Sequence, residues 1–429
     1  MKASKYNHAV HDGDSSIFYN TLTESSFRVS TKAAKSIKTI LENPDLQDER
    51  FGAFIADMKS QGFIIDDDCD EFALVERKYH RLQKSDTYTF MLLPTYQCNL
   101  RCWYCIQKHA DSWLSNEAIE RIKTRVQKQV AHDGIRYITL MWFGGEPLLA
   151  YDKVVELTRW TKELAEAGGM YFNCSITTNG TLLSEERIEE LRQAGVNHYQ
   201  ITIDGDRATH NSIKVLGKQS AYDTTLHNIS LLSQHTTCSL RFNYTKANMH
   251  PEAIINDLDK VLPTDRHNIR FTIHKVWQED NDAVPDNMVT ELMERAFAVN
   301  LQPVLAEPGL CYTDFKYFDC YFANSTVGKC DNIDPSELSS HIDRNGNVKF
   351  GNEEASFTPI METEASECKQ CSYLPICWGP CTAKRHPMLE GLKSIVCQFV
   401  DKHKDMPDAM RKIHLNREYA KKADKNYAG

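Results

Sequence analysis

From Thr87 to Lys275 the chain alternates strand-like and helix-like runs, and this alternation limits the possible folds more than any other feature. Strand patterns fall at Thr89–Pro94, Tyr137–Trp142, Tyr171–Thr178, His198–Ile203, Ser239–Tyr244 and Ile269–Lys275. Between them lie amphipathic runs at Ser115–Ala131, Asp152–Ala167, Ser184–Ala194, Tyr222–Ser233 and Pro251–Val261, with apolar residues three and four apart. Six β/α units in series predict an α/β fold with a parallel sheet, open or curled into a partial (β/α)6 TIM-like barrel. In such folds ligands gather at the C-terminal ends of the strands.

The flanks read differently. Residues 1–85 form a small α+β unit, with strand-like stretches at Tyr6–Val10 and Ser16–Val29 around Asp12-Gly13-Asp14. Helical patterns follow at Thr31–Leu41 and Glu49–Gln61, the second closed by Gly62. Strands followed by helices at this size suit a winged-helix-like module. Residues 86–305 hold the β/α series. From about Leu310 periodicity breaks up and cysteines crowd, so residues 306–400 read as an irregular domain stapled by metal. Residues 401–429 form a charged helical tail, expected to be a solvated helix packed on the outside.

A net charge of −9 over 429 residues excludes a general nucleic-acid binder. The amino terminus has no apolar signal core and no run reaches membrane-span length, so a cytoplasmic location without membrane contact is expected. In that setting fourteen cysteines, mostly in short-range clusters, point to metal rather than disulfides. Cys69, Cys174 and Cys238 stand alone and read as small buried hydrophobes.

Three of the cysteines follow the first strand. Cys98, Cys102 and Cys105 offer three thiolates, whereas a closed iron–sulfur site takes four. A cluster held by three ligands leaves one iron open to a small molecule. A zinc site would need paired cysteine or cysteine/histidine sets, and no fourth ligand lies nearby. After the second strand comes Gly144-Gly145-Glu146-Pro147, whose glycines let backbone pass close to a ligand and whose carboxylate can pair with an ammonium group. Period-two alternation puts Ser175, Thr177 and Asn179 on one face of the third strand, and Gln200, Thr202 and Asp204 repeat the pattern on the fourth.

Together these residues resemble the radical SAM enzymes. The resemblance implies that Cys98, Cys102 and Cys105 hold a [4Fe–4S] cluster whose open iron chelates S-adenosylmethionine. It implies that Gly144, Gly145 and Glu146 meet the amino group of that cofactor, and Ser175, Thr177 and Asn179 its methionine or ribose part. Tyr104 would sit by the adenine, with Asp204 at the end of the fourth strand. Lys214 stands where many members carry an arginine for the carboxylate.

The later cysteines resemble the SPASM extension found on a subset of these enzymes. By that resemblance Cys368, Cys371, Cys377 and Cys397 hold one auxiliary [4Fe–4S] cluster. Cys381 crosses to a second, with ligands drawn from Cys311, Cys320 and Cys330, which makes three clusters in all. One departure stands out: the family pattern places a cysteine five residues after the turn glycine, and counting from Gly346 lands on Gly351.

The resemblance implies a 5′-deoxyadenosyl radical that takes a hydrogen from a peptide, with an external reductant such as flavodoxin or ferredoxin. An auxiliary cluster is then a ready acceptor for the second electron of a C–S or C–C side-chain crosslink. Peptide maturases of this kind often carry a winged-helix-like module that adds the precursor's leader as an extra strand. Residues 1–85 resemble it in element order. Alternatives are an anaerobic sulfatase-maturing enzyme, a peptide epimerase with Cys311 or Cys320 as hydrogen donor, and a non-catalytic electron carrier or scaffold. The sulfatase-type enzymes carry an acid directly after the cysteine that Gly351 replaces, and here Asn352 stands there. Asp314, Asp319, Glu353 and Glu354 lie near the same region, and none is marked out as a general base.

Overall fold

The computed structural model describes residues 1–45, 51–132, 134–276, 284–334, 336, 338–349, 351, 359–362, 366–379 and 402–427. The chain divides into two compact units that interleave in sequence. One joins residues 1–84 with 307–316 and 354–418; the other joins 85–306 with 317–353 and 419–429.

The first unit opens with β1 (Lys2–Ala3), then β2 (Asn7–Asp12), β3 (Ser15–Asn20) and β4 (Ser26–Ser30). The last three form an antiparallel sheet in that order, turned at Gly13 and again after Asn20. Ser16–Val29, read from sequence as one stretch, is thus two strands. Asn20 makes the second turn by accepting from the backbone N–H groups of Leu22 and Thr23. Helices α1 (Thr31–Glu42) and α2 (Gly52–Ser60) follow, then β5 (Ile64–Ile65), which pairs with β1. Phe18, Leu41, Met58, Phe63 and Ile64 make the core beneath them. A third helix, α3 (Glu71–Leu82), went unread in sequence. Its signals are Asp70, which caps the backbone of Phe72 and Ala73, and a stripe of Phe72, Val75 and Tyr79.

The second unit is a nine-stranded sheet. In chain order it comprises β6 (Thr87–Leu92), α4 (Asn116–Val130), β7 (Tyr137–Trp142), α5 (Tyr151–Ala167), β8 (Tyr171–Thr178), α6 (Glu185–Ala194) and β9 (His198–Ile203). It continues with α7 (Arg207–Ile213), α8 (Ala221–Leu232), β10 (Thr237–Tyr244), α9 (Pro251–Val261), β11 (Ile269–Lys275), α10 (Asp286–Ala298) and β12 (Gln302–Leu305). Strands β6 to β12 are parallel neighbours in sequence order. Such crossovers are right-handed, so consecutive ordering sets the helices on one face, the layout of a partial TIM-like barrel. Alternation then separates two faces. Ile138, Leu140, Cys174, Ile176, Tyr199, Ile201, Leu240 and Phe242 are buried, while Thr139, Ser175, Thr177, Gln200, Thr202 and Arg241 on the inner face are half-buried and largely polar.

Beyond the β/α series, β13 (Tyr317–Tyr321) adds parallel to β6, with β14 (Val327–Gly328) antiparallel outside it. Sequence periodicity missed both, as it missed β12. The anchor of β13 is polar: Asp319 accepts from Tyr88 (2.8 Å) and pairs with Arg125 of α4 (3.1 Å). A hairpin of β15 (His341–Ile342) and β16 (Val348–Lys349) turns at Gly346. The chain then returns to the first unit through α11 (Ser366–Gln370) and α12 (Leu374–Cys377), and its last helix is α13 (Lys402–Tyr427). That last helix is packed, as expected, but it also contributes to a core. Met406, Met410 and Ile413 are buried against Val10, Ile17 and Tyr19 of the β2–β3 hairpin.

Among the described residues, no helix is long and apolar enough to cross a membrane. Cys174 and Cys238 are buried as expected, whereas Cys69 is partly exposed.

Candidate active site

The loop after β6 carries the cysteine trio at the strand's C-terminal end, where β7, β8 and β9 also finish. The loop is stitched down by backbone. Gly145 N–H donates to Thr95 O (3.0 Å) and Glu146 N–H to Gln97 O (2.8 Å). This close approach is why glycines are needed. A Cβ on Gly144 would lie 2.6 Å from Thr95 O, and one on Gly145 would overlap the carbonyl oxygens of Tyr96 and Gln97. The Gly-Gly run therefore serves backbone meeting backbone, a use not read from sequence.

Glu146 is fully buried, and its carboxylate is committed within the chain. It accepts from Thr178 Oγ1 (2.8 Å), Asn179 N–H (2.8 Å) and Leu148 N–H (3.0 Å). Burial raises its pKa above the ordinary carboxyl value, against the pull of those hydrogen bonds. Asn179 links strand and loop in turn: its amide donates to Asn99 Oδ1 (2.8 Å) and weakly to Cys98 Sγ (3.8 Å). Asn99 and Thr181 complete this knot and were not singled out from sequence. Ser175 and Thr177 do share the inner face, half-buried, with Gln200 3.5 Å from Thr177 Oγ1.

Tyr104, Asp204 and Lys214 converge. Tyr104 O–H donates to Asp204 Oδ1 (2.6 Å), and Lys214 Nζ stands 3.0 Å from Asp204 Oδ2. Asp204 and Lys214 are both buried. Burial is the largest single influence on the Lys214 ammonium and works against it, but Asp204, Tyr104 and Cys102 together outweigh it and raise the pKa. Lys214 thus arrives with its counter-ion already in place. His210 accepts from Asp204 N–H through Nδ1, and burial holds its pKa well below the ordinary imidazole value.

The donor set fits an iron–sulfur cluster. Cys98 and Cys102 are partly buried and Cys105 is exposed, all free thiols. Burial pushes the Cys98 thiol up to about 11 and raises Cys102 as well, so a positive metal centre is what would draw them to thiolates. His109 Nε2 lies 3.3 Å from Cys105 Sγ, a second contact sequence did not indicate. Among the described residues, no three His, Cys, Asp or Glu side chains stand close enough to share a single metal ion. A cube of four irons spreads its thiolates wider than one ion does.

Of the remaining cysteines, Cys320 on β13 and Cys330 beyond β14 are buried in the second unit, near enough that each thiolate would disfavour the other. Cys311 belongs to the first unit, as do Cys368, Cys371 and Cys377. Cys368 lies within α11, Cys371 follows it and Cys377 ends α12; Cys371 N–H donates to Cys368 O, and Cys377 Sγ reaches Gly379 O at 3.7 Å. Cys381 and Cys397 lie outside the described residues, as do Asn352, Glu353 and Glu354. Asp319 is tied up by Arg125 and two tyrosines, which disqualifies it as a mobile base. Asp314 is buried in the first unit.

The fold and this strand-end site define a class, and sequence comparison agrees with it. Residues 92–258 match the Radical SAM superfamily, so the chain carries a radical SAM domain. Such a domain implies a [4Fe–4S] cluster and S-adenosylmethionine. The chain is 28% identical over 167 residues to an Fe-coproporphyrin III synthase of Methanosarcina barkeri (38% of this chain, 39% of that one). It therefore spans well under two thirds of that relative. It is 22% identical over 332 residues to a serine-type anaerobic sulfatase-maturating enzyme of Klebsiella aerogenes (67% and 77%). Among solved structures it is similar to anSMEcpe with bound AdoMet, at TM-score 0.55 and 15% identity (77% and 99% covered). It is also similar to Streptococcus suis SuiB bound to its precursor peptide SuiA, at TM-score 0.51 and 15% identity (93% and 99%). At that identity these likenesses speak for the fold.

Proposed function

We propose that the chain is a radical SAM peptide maturase that joins two side chains of a precursor peptide through a C–S or C–C bond. When bound and reduced by an external one-electron donor, the cluster and S-adenosylmethionine supply a 5′-deoxyadenosyl radical that removes a hydrogen from the peptide. The chain's own part is to anchor and shield. The Gly145–Thr95 and Glu146–Gln97 bonds hold the cysteine loop rigid, and Tyr104–Asp204–Lys214 pins its far side to β9. Ser175 and Thr177 offer polar contacts to the cofactor from the inner face. By the family resemblance Cys368, Cys371, Cys377 and Cys397 would hold one auxiliary cluster, and Cys320 and Cys330 would serve another, as an outlet for the second electron.

The observation that carries the peptide reading is the free edge of β4 in the winged-helix-like module. Asn20 N–H donates to Ser25 O, and Thr31 N–H to Asp14 O. Antiparallel pairs alternate, so residues 25, 27, 29 and 31 bond inward to β3. Ser26 and Arg28 then present their N–H and C=O groups outward, with the N–H of Ser30, whose C=O begins α1, and among the described residues no strand takes them. The opposite edge is encumbered, since Arg411 donates to His11 O and the His8 ring meets Ser372 O. A leader peptide would add to β4.

The test uses proline. At Arg28 it removes only an outward N–H and leaves the β3–β4 ladder intact. Arg28→Pro should weaken precursor binding by about tenfold or more, while Arg28→Ala, which also loses the Asp12 ion pair, should not. Equal affinity of the two variants would remove leader pairing at β4. With reduced, anaerobically reconstituted protein, crosslinking lowers the peptide mass by two hydrogens. Epimerisation leaves mass unchanged, and formylglycine formation yields an aldehyde that a hydrazide traps.

A further inference from the structure

On the inner face of the second unit, Arg241 of β10 stands in register with Thr202 of β9 and Thr272 of β11. Asn243 and His274 follow one step nearer the strand ends. Arg241 Nε donates to Asn243 Oδ1 at 2.8 Å, which points the guanidinium toward the mouth where Tyr104 and Asp204 meet. Among the described residues its two terminal nitrogens are taken by no acceptor, and no carboxylate pairs with it.

Other sequestered cations of this unit have their donors used: Lys329 donates to Phe318 O. Arg125 has Asp319 at 3.1 Å, and Lys214 has Asp204 at 3.0 Å. Holding a charge away from water is costly unless a counter-ion is supplied. Arg241 bears that cost: burial lowers its pKa, and the Tyr104 and Asp204 charges, with no direct contact, offset only part of it. His274 beside it is held neutral, its pKa pushed down to about 4 by burial and by the Arg241 charge. What remains is a planar fork, fixed at Nε, with the geometry that takes a carboxylate through two parallel hydrogen bonds.

We propose that Arg241, positioned by Asn243, is the anion site of this chamber and binds a carboxylate. Lys214, which the family resemblance put in that role, is already neutralised by Asp204. The inference rests on the radical SAM peptide reading, which leaves two sources for the group: the α-carboxylate of S-adenosylmethionine, or an acidic side chain of the peptide.

Binding to the anaerobically reconstituted full chain separates them, using S-adenosylmethionine, its decarboxylated analogue, glutarate as a mimic of an acidic side chain, and neutral glutaramide. If Arg241→Gln weakens S-adenosylmethionine about tenfold or more but spares the decarboxylated analogue, the carboxylate is the cofactor's. If the cofactor's affinity stays within about twofold, while glutarate binds the cofactor-loaded wild type better than glutaramide and Arg241→Gln abolishes the preference, the carboxylate is the peptide's. Unchanged cofactor affinity together with no preference for glutarate overturns the proposal. The glutarate comparison needs no variant. Should Arg241→Gln fail to take up iron, Arg241→Lys, which keeps the charge but not the fork, is expected to weaken the same ligand several-fold, and wild-type affinity for both would overturn the site. Failure of the reduced wild type to release 5′-deoxyadenosine would strike the radical SAM reading instead, and glutarate binding does not depend on that release.

Discussion

Single residues decide whether the cysteine loop is held. Gly145 sits where a β-carbon would run into two backbone carbonyls, and neither Tyr96 nor Gln97 can move without releasing the strand end that precedes Cys98. Gly145→Ala should therefore cost about 1–3 kcal/mol in overpacking and leave iron uptake well below wild type. Gly52→Ala is the matched control, since nothing lies within 4 Å of a Cβ there, and it should be neutral. Normal iron content in Gly145→Ala would show the loop to be more compliant than this geometry says. Much at this scale was legible, because Cys98, Cys102, Cys105 and the Gly-Gly-Glu run are contiguous in sequence. The partners were not. That Glu146 turns inward to Thr178 and Asn179, or that Lys214 spends its charge on Asp204, depends on which strand ends lie side by side.

At the scale of elements, the β/α series could be read nearly to the residue because its helices carry apolar stripes and three of them begin at a capping serine, Ser115, Ser184 and Ser220. Strands β12 and β13 escaped. The first is four residues long, and Asp319 interrupts the apolar pattern of the second. Helix α13 was recognised as a packed helix, but its part in a core was not. Met406, Met410 and Ile413 recur at helical spacing, yet the surrounding charges and Pro407 mask them. Their burial makes the helix part of the first unit's core, reinforced by Arg411–Asp12 (3.0 Å) and Arg417–Glu24 (2.8 Å). Met410→Ala should destabilise that unit by about 2–5 kcal/mol in chemical denaturation. Lys421→Ala, on an exposed position of the same helix, should stay within about 0.5 kcal/mol. If both variants unfold like wild type, the helix is peripheral after all.

For the whole molecule, chain order was a poor guide, because the two units exchange segments at residues 84, 306, 316, 353 and 418. What the units share is a population of imidazoles shielded from water. His8, His198, His210 and His274 all have lowered pKa values, each chiefly through burial. Unfolded, each titrates near about 6.5. Below that pH the unfolded chain binds protons the folded chain refuses, so stability must fall as pH falls, until each folded value is passed. For His274 the window runs from about 6.5 to about 4. Three carboxyls bear on the same range. Asp319 is held low, so its contribution is lost only under stronger acid, below about 3.8. The raised Glu146 and Asp331 carboxyls act in the opposite sense, above about 4.5 and about 3.8, but they are two groups against these four imidazoles. The melting temperature under anaerobic conditions should thus decline from pH 7.5 to 5.5, and His274→Asn should decline less steeply than wild type. Comparing slopes cancels any acid lability of bound iron, which both proteins share. Identical slopes would mean that water reaches His274 freely, and with it the inner face where Arg241 waits for its carboxylate.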